Sequence, residues 1–340
     1  MLASMKSLLR MICCCCVIFS SSCHKPLTDI PAPVTVKFAV PMQLSAILLH
    51  LAINEGFLDN HGITAEVSYY PSGKRALQEG LINGDAQVVS TADIPFILAI
   101  HEHHSITCLA TLSFNDNVNG IIANRQKGIN NISDLKGKRI GTQENSTVHH
   151  FHDSILPLYG IKLTDINTLF FKAETLPARL YRGEIDAFTM REPFLNQAKS
   201  LLGNDAISFK FPNDYIQYEV LLAKNQLLHD SPETVSNILK ALADAEQYVR
   251  MHPQKALASF AKNIDMPEHA FAHDWQSYNA QLQFPQAALT LWEGQWQWEE
   301  TLEEKNHVHT EPHEFMVLDY INEHFLKDLY PNKVSVIAHE

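Results

Sequence analysis

From residue 34 onward the chain alternates short apolar runs with stretches of helical spacing. Residues 34–40 (VTVKFAV) read as a strand. Residues 45–54 place Leu48, Leu51 and Ala52 on one helical face. A strand over 64–70, a helix over 74–81 and a strand over 86–90 follow. The order then recurs as strand 139–141, helix 147–159, strand 167–172, helix 175–183 and strand 185–190. Strands separated by helices predict parallel βαβ units and an α/β fold.

Landmarks in the two halves recur at nearly constant offsets. Gly62-Ile63 is matched by Gly160-Ile161 98 positions later, Gly84 by Gly183 at 99, Pro95-Phe96 by Pro193-Phe194 at 98, and Asp85-Ala86 by Asp186-Ala187 at 101. Four matches in one order across matched elements predict two similar lobes, whereas a solenoid needs at least ~3 repeats. The length agrees, since single cores stop growing near ~250–300 residues and this chain has 340. The final third is patterned differently. Ser231-Pro232 reads as a helix start, and Val235, Ile238, Leu239, Leu242, Ala245 and Val249 follow at helical spacing. Helical patterns continue from 253 to about 329, with breaks near Met266-Pro267 and Phe284-Pro285, and Trp275, Trp292, Trp296 and Trp298 read there as packing residues.

The first residues carry a sorting signal. Lys6 and Arg10 are the only charged residues among the first 22, and an apolar run over 11–19 (MICCCCVIF) leads to Ser20, Ser21, Ser22 and Cys23. A basic start, a short apolar run and small residues describe an export signal over 1–22, followed by a tether over 23–33. The run is too short to span a bilayer, which needs ~20 residues. The break point has two readings. Ser-Ser-Ser-Cys is similar to the lipobox of bacterial lipoproteins, which places a lipid on Cys23. Ser20-x-Ser22 also fits cleavage of a free exported chain. Only Cys108 then remains in the body, in an apolar stretch that reads as a buried strand with an inert thiol.

Charge narrows the class. The chain has 26 Lys+Arg against 38 Asp+Glu, a net charge of −12. Such a surface repels phosphate backbones, which argues against nucleic acid as a partner. A small anion feels only its local pocket and stays open as a ligand.

In a parallel sheet the loops leaving the carboxyl ends of strands line the ligand crevice, and the helices that follow aim their N-termini at it. The candidate binding residues are therefore Gln43, Leu44 and Ser45 after the first strand, Ser72 and Gly73 after the second, and Thr91 after the third. In the second half they are Gln143, Asn145, Ser146 and Thr147, then Arg191 and Glu192. Ser, Thr and Asn also serve as helix caps, and Gly73 suits a tight turn as well as close ligand approach. Arg191 fits a forked hydrogen bond onto a sulfonate, carboxylate or nitrate, or a pairing with a carboxylate of the chain. The histidine clusters His101/His103/His104, His149/His150/His152 and His307/His309/His313 read as no metal site, because no cysteine joins them and no H-E-x-x-H motif occurs. His149 falls in the first turn of a helix beside the crevice and reads as a solvated position. No nucleophile elbow, phosphate loop or dinucleotide fingerprint appears, so no catalysis and no cofactor are expected.

Three stretches carry a family resemblance: 38–58 running into AINEGFLDNHGI, 133–147 (SDLKGKRIGTQENST) and 182–194 (RGEIDAFTMREPF). Together they resemble the bacterial periplasmic solute-binding proteins of nitrate, sulfonate, taurine and bicarbonate transporters, with thiamine-pyrimidine binders as relatives. Members often show an aromatic residue where this chain has Arg191. The resemblance implies a two-lobed periplasmic binding protein fold, each lobe a mostly parallel sheet flanked by helices, with a ligand cleft between. It implies crossings near 113–121 and 209–218, so that 34–116 and 213–340 share lobe 1 and 117–212 form lobe 2. It also implies a monomeric extracytoplasmic substrate-binding protein that delivers a small anion to an ABC permease. Two alternatives remain: a receptor for a thiamine-precursor pyrimidine or other heteroaromatic, for which Glu144, Glu192 and His149 supply polar groups, and a periplasmic ligand sensor.

Overall fold

The expected strands resolve into two separate sheets. The computed structural model describes residues 32–305 and 316–337. The export signal, Cys23 and the His307/His309/His313 cluster lie outside the described residues. The strands are β1 (Val34–Pro41), β2 (Ile63–Tyr70), β3 (Val88–Ala92), β4 (Ile106–Asn115), β5 (Gly120–Asn124), β6 (Arg139–Thr142), β7 (Asn167–Phe170), β8 (Ala187–Met190), β9 (Ala206–Lys210), β10 (Gln217–Lys224) and β11 (Asn279–Gln283). One sheet has the order β11-β4-β10-β3-β1-β2 and the other β7-β6-β8-β5-β9.

Both sheets follow one plan. A parallel trio (β2-β1-β3, β7-β6-β8) is joined by a fourth strand running antiparallel (β10, β5). That fourth strand enters each sheet directly from the other lobe. The sheets are therefore mixed rather than mostly parallel. A short crossing delivers its strand reversed, while only a helix-containing crossover returns it parallel. The repeat offsets of the sequence map onto the parallel trios.

Apolar runs become strands because both sheet faces are covered. Every residue of β3 is buried, and so is every residue of β10 except Lys224. In β5 the pleat sends Ile121 to a cluster with Ile140 and Phe151, and Ile122 to a cluster with Phe188 and Leu176. The first lobe has one large core around Phe38, Phe96 and Trp292, closed by the helices Ile47–Asn54, Pro232–Met251 and Pro253–Asn263. The tryptophans do pack: Trp292 is edge-on to Phe96 and Phe284, and Trp298 donates from Nε1 to Asp153 Oδ2 at 3.0 Å. Among the described residues no helix is long and apolar enough to cross a membrane.

Two local differences from the sequence reading have simple causes. The helix expected over 74–81 is a short α turn, Gly73–Arg75, followed by a π-helix, Ala76–Ile82. Gly80 lies in that wider turn, and a Cβ there would come within 2.5 Å of Ala39 Cβ, so close packing on β1 sets the local geometry. The helical stretch expected after 253 is interrupted by β11, which pairs antiparallel with β4 at the sheet edge. Periodicity alone does not separate so short an edge strand from a helix end.

Candidate functional site

The chain passes between lobes through residues 116–119 and 211–216. Asn119 Nδ2 donates to Gln217 Oε1 at 3.5 Å, tying one crossing to the other. Lys210 Nζ donates to the carbonyl of Asn117 at 3.3 Å. At the mouth, Lys74 of lobe 1 donates from Nζ to the carbonyl of Asn145 in lobe 2 at 3.0 Å.

The lobe 1 wall is a set of loops held against one another. The Gln43 side-chain oxygen accepts from the Gly73 N–H at 3.0 Å. A Cβ at Gly73 would lie 2.9 Å from both Thr91 Cα and Thr91 Oγ1, so only glycine lets these two loops touch. Thr91 is fully buried, and its Oγ1 has no hydrogen-bond partner among the described residues. Leu44 and Ser45 are buried, and the Ser45 carbonyl accepts from Ser113 Oγ at 2.8 Å. Ser72 caps the next turn by accepting the Arg75 N–H at 3.3 Å.

The lobe 2 wall starts at the N-terminus of the helix Thr147–Leu158. Ser146 accepts the His149 N–H at 3.4 Å and donates to the Gln143 carbonyl at 2.5 Å. Ser146 and Thr147 are buried, Gln143 is half-buried and Asn145 is exposed with φ of 47°. Arg191 follows β8 at the cleft. It is half-buried and forms no hydrogen bond or ion pair among the described residues. Loss of solvent is the largest influence on its guanidinium and lowers its pKa, while Tyr278 and Glu219 act on it in the opposite sense.

Two acids of lobe 1 are buried, and one of them, Glu219, lies within electrostatic reach of Arg191. Glu219 on β10 is 2% exposed and accepts a hydrogen bond from Ser90 Oγ. Burial pushes its carboxyl up to about 7, against the opposing pull of Ser90, Ser45 and Arg191. Asp93 accepts from the Ile94 N–H at 2.9 Å and the Tyr218 N–H at 3.2 Å, and burial raises it to about 6. Arg191 is thus a half-buried cation with no hydrogen bond or ion pair among the described residues, and Glu219, within its electrostatic reach, is a buried acid held by Ser90.

This two-walled architecture has clear relatives. Residues 44–256 match the family model described as NMT1/THI5 like. This chain belongs to the NMT1/THI5 like family. A relative in Escherichia coli (strain K12) named for aliphatic sulfonates is 24% identical over 233 residues, covering 68% of this chain and 72% of its own length. Among solved structures, the periplasmic aliphatic sulphonate binding protein from Escherichia coli superposes with TM-score 0.68 at 19% identity, over 85% of this chain and 97% of that one. The desulfurization enzyme DSZB superposes with TM-score 0.59 at 16% identity, over 87% and 98%. The fold is that of periplasmic binding proteins.

Within this NMT1/THI5 like chain, the loop positions named from sequence follow strands of the two sheets, and many of them act as caps and loop ties. Glu192 accepts the Asn196 N–H at 2.9 Å and so caps the helix Phe194–Leu202. His149 is not solvated. It is 4% exposed, edge-on to Phe170 and Trp298. With Glu144, Asn145 and Asp153 it lines a cavity of about 230 Å³ beside its helix. Among the described residues no three His, Cys, Asp or Glu side chains come together as metal ligands. Sequence reasoning missed Glu219, Asp93 and Tyr278. Glu219 left one signal: it is the lone acid in the apolar strand QYEVLLAK.

Proposed function

We propose that this protein is the extracytoplasmic substrate-binding component of an ABC importer and that it binds a small anion, of the sulfonate or related organic-acid class, between its lobes. The observation that carries this reading is Arg191: a half-buried guanidinium just beyond β8 with no hydrogen bond or ion pair among the described residues. A charge that loses part of its solvent without gaining a protein partner carries a cost, and a partner from outside offsets it. The relatives' names for sulfonate binding support the same class. One chain carries both walls, so the working unit is a monomer, and its closed form would dock on the permease.

A binding role without chemistry is favoured over the enzymatic role of the DSZB neighbour. Cys108 lies in β4, fully buried, and burial raises its thiol far above the ordinary value, so it offers no thiolate nucleophile. The pyrimidine reading is the weaker, because the relatives are named for sulfonates, His149 is packed against Phe170 and Trp298, and Glu192 caps a helix.

The test is a thermal-shift panel of sulfonates, nitrate, bicarbonate, carboxylates and pyrimidines. Binding to the folded state alone adds about 2.7 kcal/mol at a hundredfold excess over Kd, which raises Tm by several degrees. A flat melt across the whole panel would sink the receptor reading. The export signal and the Ser22-Cys23 break support an anchored protein facing the periplasm or cell exterior. Mass spectrometry of the native protein is expected to find a lipid on Cys23. An unmodified residue near 23 would leave a free exported protein, and an intact Met1 would overturn export itself.

A further inference from the structure

We propose that Trp298 is an interlobe latch: a positioning residue that holds the second lobe against the first in the absence of ligand, so that the lobes part only when this contact is released. The proposal stands on the two-lobed fold alone, whatever the ligand.

The helix Gln286–Lys305 has three faces. Leu289, Trp292 and Trp296 follow at i, i+3 and i+7 and are buried in the core of lobe 1. Trp292 is edge-on to Phe96, and the Trp296 ring lies 4.7 Å from that of His101, both on the lobe 1 helix Asp93–His101. Thr290, Glu293, Gly294, Gln297 and Thr301 form an exposed strip. Trp298 and Leu302, one turn apart, make the third face, since a helix turns ~100° per residue and Trp298 stands ~200° round from Trp296.

That third face meets lobe 2. Trp298 Nε1 donates to Asp153 Oδ2 at 3.0 Å, and its ring is edge-on to His149 at 5.2 Å and to His150 at 5.0 Å between centroids. Asp153, His149 and His150 all belong to the helix Thr147–Leu158, which follows β6 of lobe 2. The Asp153 side chain is 10% exposed, so water competes weakly for the bond. A helix rooted in one lobe therefore grips the other at a place distinct from the two crossings, and a hinge motion about those crossings has to break the grip. The tie at the mouth, Lys74 to the Asn145 carbonyl, uses an exposed lysine whose side-chain freedom opposes a fixed geometry.

The contact is one that can part. The apolar cores of the two lobes are separate clusters. Trp298 is half-buried, and beside it Leu302 of its own helix and Asp153, Thr168 and Phe170 of lobe 2 line the cavity of about 230 Å³. A continuous interior is close-packed, so a void of that size marks a seam between two bodies. The latch also bears on affinity. A ligand that binds only the closed form has an apparent Kd equal to its intrinsic Kd divided by the closed fraction, and the latch raises that fraction.

Small-angle X-ray scattering of the ligand-free protein reads the interlobe opening directly. Trp298→Ala is expected to give a larger radius of gyration than the parent. Trp298→Phe and Asp153→Asn, which act on the hydrogen bond and keep the side-chain bulk, are expected to fall between the two. Trp296→Phe, on the lobe 1 face of the same helix, is expected to lower Tm and leave the radius at the parent value, which separates a latch from a general packing role. Each variant is first shown to melt cooperatively, and if Trp298→Ala does not, Trp298→Phe and Asp153→Asn carry the comparison. If the folded variants at Trp298 and Asp153 scatter as the parent does, or if Trp296→Phe opens the protein as much as they do, the latch is overturned. No ligand is added, so that result leaves the anion reading standing, and a failed ligand panel leaves the latch standing.

Discussion

Arg191→Ala is expected to weaken binding of the acid ligand by ~10–150-fold, the factor that corresponds to ~1.5–3 kcal/mol for a hydrogen bond to a charged group. Loss of solvent is the largest influence on this guanidinium, and an acid group bound beside it would act against that loss. Two further expectations separate ligand recognition from a packing role. Arg191→Lys is expected to recover only part of the affinity, since a point charge cannot make the forked contact. Arg191→Ala is expected to leave the melting temperature of the ligand-free protein unchanged or higher, because it removes an unpaired desolvated cation that breaks no hydrogen bond. The contrary pattern is a variant that binds the identified ligand as well as the parent but melts earlier. That would assign Arg191 to the scaffold and remove the basis of the anion reading.

The second large effect concerns acid. Three of the buried imidazoles have strongly depressed pKa values: His50 donates from Nε2 to the Pro41 carbonyl at 2.8 Å, His150 meets the Tyr215 hydroxyl at 2.9 Å, and His152 meets the Thr168 hydroxyl at 3.0 Å. Burial depresses them from 6.5 to about 4, about 3 and about 3. They stay neutral in the fold, while the unfolded chain takes up their protons once the pH falls below about 6.5. Their contribution is thus full above that pH and is lost as the pH falls toward 4 and 3. Asp93 and Glu219 act in the opposite sense. Raised to about 6 and about 7, they hold protons in the fold over a window where the unfolded chain has released them. Near pH 5 the histidines bind three protons in the unfolded state against two held by the acids in the fold. The excess of about one proton lowers stability by ~1.4 kcal/mol per pH unit. Surface carboxylates held low by their partners, such as Asp85 hydrogen-bonded to Lys37, push the same way. Between pH 6.5 and 4 the loss reaches several kcal/mol, a large share of the ~5–15 kcal/mol of a typical fold. Urea midpoints are expected to fall steadily over that range and to fall less steeply in His152→Gln. A flat or rising midpoint would show that these imidazoles take up protons in the fold.

Much of this protein was legible as pattern. The α/β class, the two similar lobes and the positions of the strand-to-helix loops follow from local periodicity and from landmarks repeated about 98 residues apart. These are properties of short segments: a strand with both faces covered must be apolar, and a helix start needs a cap. Arg191 was legible for the same reason, as a cation placed where a β8-type strand ends. What tertiary structure alone decided is which polar groups face one another. Glu219 sits 28 positions beyond Arg191 in the chain, Tyr278 lies further on in a stretch that reads only as helical, and Ser45 and Ser90 come from the first lobe. Their meeting depends on the crossing strands β5 and β10 being inserted antiparallel into sheets built by the other parts of the chain. The same dependence separates His149 and Glu192, legible as cleft residues, from the cleft itself. Burial against Trp298 and Phe170 claims the first, and a free helix end claims the second. Local sequence sets which segments can form elements, while long-range packing and the cost of desolvating a charge determine which side chains remain available to a ligand.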